Sequence, residues 1–256
     1  MLTVCAIASG SNGNCYYIGN SADAVLIDAG ISARQIIARM HLRNLDPSRV
    51  KAIFISHEHT DHTSGTRVLS KRLRIPVYVT AQTYTAMYPN LRPSAPRFFK
   101  PGCEINVGDF SIYPFSKLHD AAEPCSFRVS YKGVNTGVFT DIGSACDHVV
   151  QNLILCDVVF LESNYDEKML WNGKYPWPLK KRIASEYGHL SNDQAYDLLV
   201  NNPCSKLREL FLSHLSAENN TPETAYNRFS ELSGKINVHL TSRYEAGEVY
   251  RIRFED

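Results

Sequence analysis

The strongest chemical signal in the sequence is a run of metal-capable side chains directly after an apolar segment. Three histidines and one aspartate fall within six positions, namely His57, His59, Asp61 and His62. Because side chains of an extended segment alternate, His57 and His59 should point the same way, and a turn can aim the other two at a neighbouring point. Neutral imidazole and carboxylate are ligands for zinc and similar transition ions. The alternative is a solvated histidine-rich loop, which four such residues at a predicted strand end disfavour.

Four more polar residues stand at the ends of apolar segments elsewhere in the chain. They are Asp28, His119, Asp141 and His214. Strand ends that converge at one edge of a sheet are where loops supply binding sites, so we expect these residues near the 57–62 segment. Each alone could be a turn former or a surface histidine. His239, on the predicted strand Ile236–Leu240, is an alternative to His214 as the last ligand.

The elements that must position these residues are a mixture of strands and helices. Short apolar runs predict strands in both halves of the chain, each half being flanked by helices, for example near Ser32–His41 and Ser191–Val200. Ser32 is the expected N-cap of the first of these helices. Two β-rich halves with helices outside favour two sheets packed face to face. A helix over Pro222–Leu232 and a final strand over Val249–Phe254 complete the prediction.

The composition excludes several classes of protein. The 256 residues carry a formal net charge of +1, which excludes a strongly basic, histone-like binder and an acidic disordered chain. The chain lacks linker-like and repeated segments, so we expect a single domain over residues 1–256.

No apolar run approaches the roughly 20 residues that span a bilayer. The seven cysteines are odd in number and form no CxxC pair, and the first residues lack a basic signal-peptide region. We therefore expect a cytoplasmic protein without membrane association.

The HEHTDH segment resembles the HxHxDH signature of the metallo-β-lactamase-fold hydrolases, whose other motifs are matched in order by the four strand-end residues. The resemblance implies an α+β fold, a four-layer αββα sandwich with a dinuclear metal site. It implies that His57, His59 and His119 bind the first metal. It further implies that the second metal is held by Asp61, His62 and His214, that Asp141 bridges the pair, and that Asp28 orients the ligand loop.

The chemistry implied by this resemblance is metal-dependent hydrolysis. Two divalent ions lower the pKa of a bridging water, which Asp61 helps to activate, and they clamp the centre that is attacked. The ions could be Zn, Mn or Fe, because histidine and aspartate accept all three. The sequence contains no GxSxG nucleophile elbow, which agrees with attack by water.

Two residues favour a phosphodiester substrate. Glu162 in LESN and His189 in GHLS resemble the pair that helps to protonate the leaving oxygen in tRNase Z-like phosphodiesterases. A general acid is useful when the leaving group is an alkoxide, and histidine is tunable for that task. The alternative is that His189 merely precedes a helix start at Ser191.

Two segments are candidates for substrate contacts. The YPWPLKKR segment joins aromatic residues, which can stack on bases, to three cations that can neutralise phosphates: Lys180, Lys181 and Arg182. The SGSNGN loop, with Ser11 and Asn12, exposes backbone N–H groups that could cradle a phosphate, although a tight turn explains it equally well.

Longer strings resemble one bacterial group within that superfamily, the YycJ/WalJ group. They are SGSNGN, LHDAAEP, TDIG, ESNYDEKML, YPWPLKKRI, GHLSN and LSHLSAENNTP. This resemblance implies a 5′-to-3′ DNA exonuclease, with DNA a better candidate partner than RNA. One departure is Tyr165, where the group has histidine. The alternatives are a thioester or lactone hydrolase of the same fold and a non-catalytic metal-binding regulatory protein.

Overall fold

Two β-sheets dominate the computed structural model, which describes residues 1–253. Within those residues each sheet has seven strands. The strands of the first sheet, in spatial order, are β14 (Tyr250–Ile252), β1 (Leu2–Ala8), β2 (Cys15–Gly19), β3 (Ala24–Ile27), β4 (Val50–Phe54), β5 (Val77–Val79) and β6 (Pro96–Phe98). The strands of the second are β13 (Asn237–Leu240), β12 (Glu209–Ser213), β11 (Val158–Glu162), β10 (Val134–Phe139), β9 (Cys125–Tyr131), β8 (Phe110–Ser116) and β7 (Ile105–Val107).

Helices connect the strands and cover the outer faces of the sheets. They are α1 (Ala33–Leu42), α2 (Thr60–Thr63), α3 (Thr66–Leu73), α4 (Ala81–Ala86), α5 (Asp147–Leu153), α6 (Glu167–Asn172), α7 (Trp177–Ile183), α8 (Asn192–Val200) and α9 (Pro222–Arg228). Short 3-10 turns span Pro47–Arg49 and Ser230–Leu232.

The inner faces of the two sheets pack against each other through aromatic side chains. Tyr16 of the first sheet lies 5.0 Å from Phe160 of the second, and Phe54 lies 5.8 Å from Phe127, measured between ring centroids. Such pairs add about 0.5–1.5 kcal/mol each to the stability gained from burial. Apolar side chains of α1 and α3 pack on the outside of the first sheet, and those of α5, α8 and α9 on the outside of the second. This arrangement confirms the predicted αββα sandwich.

Strand direction explains why the polar strand ends meet. Strands β3 to β6 run parallel in the first sheet, and β10 to β13 run parallel in the second. Strand β8 has the same direction as β10, because each is antiparallel to β9. The carboxyl ends of these strands therefore lie at one edge of each sheet. The contact between His62, which follows β4, and Asp141, which follows β10, shows that the two edges lie together.

Local signals located most elements to within a few residues. Ser32 caps α1 by accepting a hydrogen bond from the Gln35 N–H, as predicted. The predicted helix over Pro222–Leu232 was wrong in its last four residues, where the chain leaves α9 and forms a 3-10 turn. The predicted final strand is shorter than expected, and its last residue, Phe254, lies outside the described residues. In the described part of the chain, no helix has the length and apolarity needed to cross a bilayer.

Candidate metal centre

Three histidine rings meet at the edge where the parallel strands end. His57 follows β4, His59 caps the start of α2, and His119 comes shortly after β8. Their nitrogen donors all lie within 4.8 Å of one another. His57 Nε2 is 3.0 Å from His59 Nδ1, and the His57 and His119 rings are 4.9 Å apart. Three imidazoles at this spacing suit one transition-metal ion.

A second group, with two carboxylates and two histidines, lies beside the first. Its donors, again within 4.8 Å of one another, come from Asp61, His62, Asp141 and His214. Asp141 Oδ2 is 3.2 Å from His62 Nε2, and Asp141 Oδ1 is 3.4 Å from His214 Nδ1. Asp141 Oδ1 is also 3.9 Å from Nε2 of His119, a member of the first group. Asp141 thus lies between the groups, where one carboxylate can serve both.

Backbone conformation marks three of these strand ends. Asp28, Asp141 and His214 have φ angles of 62°, 54° and 56°, and they make up half of the six non-glycine residues with positive φ in the described chain. This left-handed region is uncommon for residues other than glycine and occurs often at functional sites. The turns aim each side chain back over the edge of the sandwich instead of along the strand.

Asp28 holds the 57–62 segment in place through hydrogen bonds to Ser56 and His62. Its Oδ2 accepts hydrogen bonds from Ser56 Oγ at 2.8 Å and His62 Nδ1 at 2.7 Å, while its Oδ1 accepts from the Ser56 N–H at 2.8 Å. All three residues are buried. Because His62 donates through Nδ1, its Nε2 faces Asp141, and an outer carboxylate commonly fixes a metal-binding imidazole in this way.

Two buried residues beside the centre were missed by sequence reasoning. The Asn14 side-chain nitrogen is 3.1 Å from His62 Nε2, and the Asn14 N–H donates to the Asp61 carbonyl at 2.7 Å. The ammonium group of Lys117 donates to the Thr140 carbonyl at 2.6 Å, next to Asp141. Asn14 is the last residue of the SGSNGN string, in which only Ser11 and Asn12 were predicted to contact substrate. No local pattern singles out Lys117.

The residues present fit a bound cation. His119 donates through Nδ1 to the Gly188 carbonyl at 3.0 Å, and its buried Nε2 has no hydrogen-bond partner among residues 1–253. The same holds for the buried Nε2 of His214. Buried nitrogen atoms without a partner are costly, and a metal ion would satisfy both.

The two groups differ in their electrostatics. Burial, together with the neighbouring His62, lowers the pKa of His57 well below its usual value, and burial lowers the pKa of His119 to about 3. The imidazoles of His57 and His119 are therefore neutral, the form that binds metal. Burial also disfavours the charged form of His214, but Asp141, Asp61 and Glu162 outweigh it and raise the pKa to about 10. In the second group a cation therefore competes with a proton.

Glu162, the last residue of β11, joins two histidines. Its Oε1 lies 2.8 Å from His189 Nδ1 and 2.9 Å from His214 Nδ1. Its Oε2 accepts hydrogen bonds from the N–H groups of Ile142 and Leu190 at 2.7 and 3.2 Å. Burial opposes ionisation of Glu162, yet the two histidines lower its pKa to about 2. An ionised carboxylate requires Nδ1–H on both rings, so Nε2 of His189 is left to face outward.

His239 and Tyr165 contact residues outside these groups. His239 stacks on Phe211 with ring centroids 4.7 Å apart and pairs with Glu209 at 2.6 Å. It therefore does not replace His214. Tyr165 is buried, its backbone bridges to Ser191, and burial raises the pKa of its phenol to about 12.

The three predicted cations of α7 have different surroundings. Lys180 is buried, and its ammonium donates to the carbonyls of Trp171 and Gly173 at 2.8 and 2.7 Å, so its prediction as a substrate contact was wrong. Lys181 and Arg182 are exposed. Arg182 donates to Asp120 at 2.5 Å, which places a guanidinium next to His119.

Ser11 and Asn12, predicted to cradle a phosphate, lie exposed in the loop between β1 and β2. The Asn12 side chain donates to the Arg243 carbonyl at 3.3 Å. Gly10 has a φ of 148°, and a Cβ at that position would come within 2.9 Å of the Arg243 Cβ. Glycine is needed there so that this loop can pack against the segment around Arg243.

Comparison with known proteins agrees with the geometry. The sequence is 33% identical over 225 residues to exodeoxyribonuclease WalJ of Streptococcus pneumoniae serotype 2, covering 86% of this chain and 84% of that protein. It is 32% identical over 229 residues to exodeoxyribonuclease YycJ of Bacillus anthracis, covering 88% and 87%. The fold matches the metallo-β-lactamase fold protein YhfI of Bacillus subtilis with a TM-score of 0.73 at 15% identity, over 98% of this chain and 100% of that one. The profile of the metallo-β-lactamase superfamily matches residues 8–140, and the chain belongs to this superfamily.

Proposed function

We propose that this protein is a metal-dependent phosphodiesterase that removes nucleotides from an end of DNA, in the 5′-to-3′ direction. Relatives that share about a third of its residues over most of their length are exodeoxyribonucleases. The polarity rests on the resemblance of its motifs to the YycJ/WalJ group. Such an activity belongs with cellular DNA, so we also propose a cytoplasmic location.

The proposed cofactor is a pair of divalent ions, Zn, Mn or Fe. His57, His59 and His119 would hold one ion, Asp61, His62 and His214 the other, and Asp141 would contact both. When bound, the ions would supply a water molecule of lowered pKa and polarise the phosphoryl group. Asp61 has the most exposed carboxylate in its group, which suits it to accept a hydrogen bond from that water.

The observation that carries the proposal is the hydrogen bond between Glu162 and His189. The imidazole is partly exposed beside the centre, its Nδ1 being 3.8 Å from Asp141 Oδ1. With Nδ1–H fixed by Glu162, Nε2 is the atom that can give a proton to a departing oxygen. A phosphodiester releases a strongly basic alkoxide, which needs that proton more than the thiolate of a thioester does.

The surface beside α7 supplies the proposed path for the DNA strand. Trp177, Lys181, Arg182 and Tyr187 are exposed there, and the Lys181 ammonium lies 5.6 Å from the Trp177 ring. The Tyr187 carbonyl accepts the Asp120 N–H at 3.0 Å, which ties this surface to the residue after His119. Exposed rings can stack on bases, and cations can neutralise phosphates.

The test is a comparison of substrates with protein first stripped of metal and then reloaded with Zn, Mn or Fe. We expect cleavage of end-labelled linear DNA, resistance of covalently closed circular DNA of the same sequence, and loss of activity in His57→Ala. RNA, bis-p-nitrophenyl phosphate and a thioester complete the panel. Hydrolysis of the thioester without any phosphodiester cleavage would overturn the proposal. So would full cellular function in His57→Ala, because the protein would then act without its metal centre.

A further inference from the structure

A cavity of about 310 Å³ opens next to the metal centre on the side of His214. We propose that this cavity binds the terminal nucleoside of the DNA strand, with its base against the ring of Tyr244. The proposal rests on the proposed nuclease function and adds a subsite to it. The volume is at the lower end of the range for small-ligand sites, which suits a single nucleoside.

Two residues that line the cavity connect it to the metal centre through His214. Leu215, which lines the cavity, directly follows His214 in the chain. Ser9, another lining residue, accepts a hydrogen bond from the His214 N–H at 2.8 Å through its Oγ. A molecule bound in the cavity therefore touches Leu215, the residue that follows a proposed metal-binding histidine. A nucleoside joined to the reacting phosphate must lie this close to the metal centre.

Tyr244 combines a fixed backbone with an exposed ring. Its carbonyl accepts a hydrogen bond from Arg39 at 2.6 Å, and Arg39 also donates to the Ile7 carbonyl at 2.9 Å. Arg43 donates to the Ala246 carbonyl at 2.6 Å. The Tyr244 residue is nevertheless 78% exposed, among the highest values for large hydrophobic residues in the described chain. An exposed aromatic ring on a backbone segment that is held in place beside a cavity is available for stacking on a base.

The polar groups of the cavity suit an electron-rich ligand. Ser216 Oγ accepts the Asn219 N–H at 3.1 Å, and Ser242 Oγ accepts the Tyr244 N–H at 3.2 Å, so both hydroxyl protons remain available to donate. Arg243 lies 5.8 Å from the Tyr244 ring and pairs with no carboxylate among residues 1–253. No aspartate or glutamate lines the cavity. Base carbonyls, ring nitrogens and a phosphate are acceptors that match these donors.

The cavity and the α7 surface reach the metal centre through different residues. The α7 surface joins the centre through Asp120 and His119, whereas the cavity joins it through Leu215 and His214. In the proposed path, a strand lies along α7, crosses the metal groups and places its terminal nucleoside in the cavity. This arrangement accounts for removal of nucleotides from an end.

The test uses two DNA duplexes that differ only in whether the terminal nucleotide carries a base or is abasic. For the metal-loaded wild type, removing the base should raise KM about tenfold, within the range for stacking of one base on an aromatic ring. In Tyr244→Ala this ratio should fall close to one, and Tyr244→Phe should restore it. The matched control is Tyr88→Ala, which removes an exposed tyrosine outside the cavity lining and should keep the wild-type ratio.

The possible results distinguish failure of the nucleoside subsite from failure of the nuclease function. If the wild type cleaves neither duplex, the nuclease function fails. If the wild type cleaves both and Tyr244→Ala keeps the wild-type ratio, the nuclease function stands and the nucleoside subsite is contradicted. An unchanged melting temperature of Tyr244→Ala excludes misfolding as the cause of a lost ratio.

Discussion

The Oε1 atom of Glu162 lies 2.8 Å from Nδ1 of His189 and holds that ring beside Asp141 and His214. The same oxygen orients His214, so one buried carboxylate sets both a proposed proton donor and a proposed metal ligand. This shared contact links the chemistry of the leaving group to the geometry of the centre.

His189→Ala should lower kcat on DNA by about 10²- to 10⁴-fold, the usual contribution of a positioned general acid. The loss should be smaller on bis-p-nitrophenyl phosphate, because its nitrophenolate leaving group needs less protonation. Metal content, measured by elemental analysis, should match the wild type. Loss of metal in this variant would show that His189 is a ligand and not the proton donor.

Asp28→Asn should weaken metal binding by roughly 10- to 100-fold, the range seen when an outer carboxylate behind a ligating histidine is altered. The reason is that Asp28 fixes both Ser56 and His62. Competition with a fluorescent chelator measures the affinity. Asp109→Asn, a change of the same chemistry at an exposed residue, is the control. Equal affinities in the two variants would mean that the histidine loop keeps its geometry without Asp28.

Metal removal should lower the melting temperature, and adding metal back should restore it. Without a cation, the buried Nε2 atoms of His119 and His214 lack partners in the described structure, and a ligand that binds only the folded state stabilises it. The measurement is thermal unfolding of chelator-treated protein with and without Zn or Mn. Identical melting temperatures would indicate that neither ion binds the folded chain.

Metal uptake should release protons, and affinity should fall as the pH is lowered. Burial disfavours a proton on His214, but Asp141 and the other nearby carboxylates raise its pKa to about 10 in the absence of metal. The ring is therefore protonated at pH 7 to 8, and a cation must displace that proton. Because the folded-state pKa is raised, affinity should increase with pH up to about 10. Calorimetric titration in buffers with different ionisation enthalpies counts the protons, and a count of zero would contradict the expectation.

The cations of α7 should separate into structural and substrate-binding residues. Lys180→Ala should destabilise the fold by about 1–3 kcal/mol, because two carbonyls lose their donor, without changing the salt dependence of DNA binding. Lys181→Ala should leave stability unchanged and reduce the slope of log affinity against log salt by about 0.7–0.9. Chemical denaturation and binding titrations at several salt concentrations measure the two effects. The reverse pattern would contradict the orientation of α7.

The fold and most of the proposed ligands could be predicted because their signals are local. The His57–His62 segment is contiguous, and Asp28, Asp141 and His214 each stand within two residues of the end of a largely buried strand. What local patterns could not show is which side chains point inward. The burial of Lys180 depends on how α7 packs against residues 171–173. Asn14 and Lys117 acquire their places through partners distant in the sequence, His62 and Thr140 respectively, so their own sequence neighbourhoods do not mark them.

The central claim is that seven side chains, four from the 57–62 segment and three from other strand ends, hold two cations. Anomalous diffraction from a crystal of the protein grown with Mn or Zn tests it directly. Two peaks are expected, one within ligand distance of His57, His59 and His119 and one within ligand distance of Asp61, His62 and His214, with Asp141 touching both. A single peak, or peaks only at other residues, would contradict the claim.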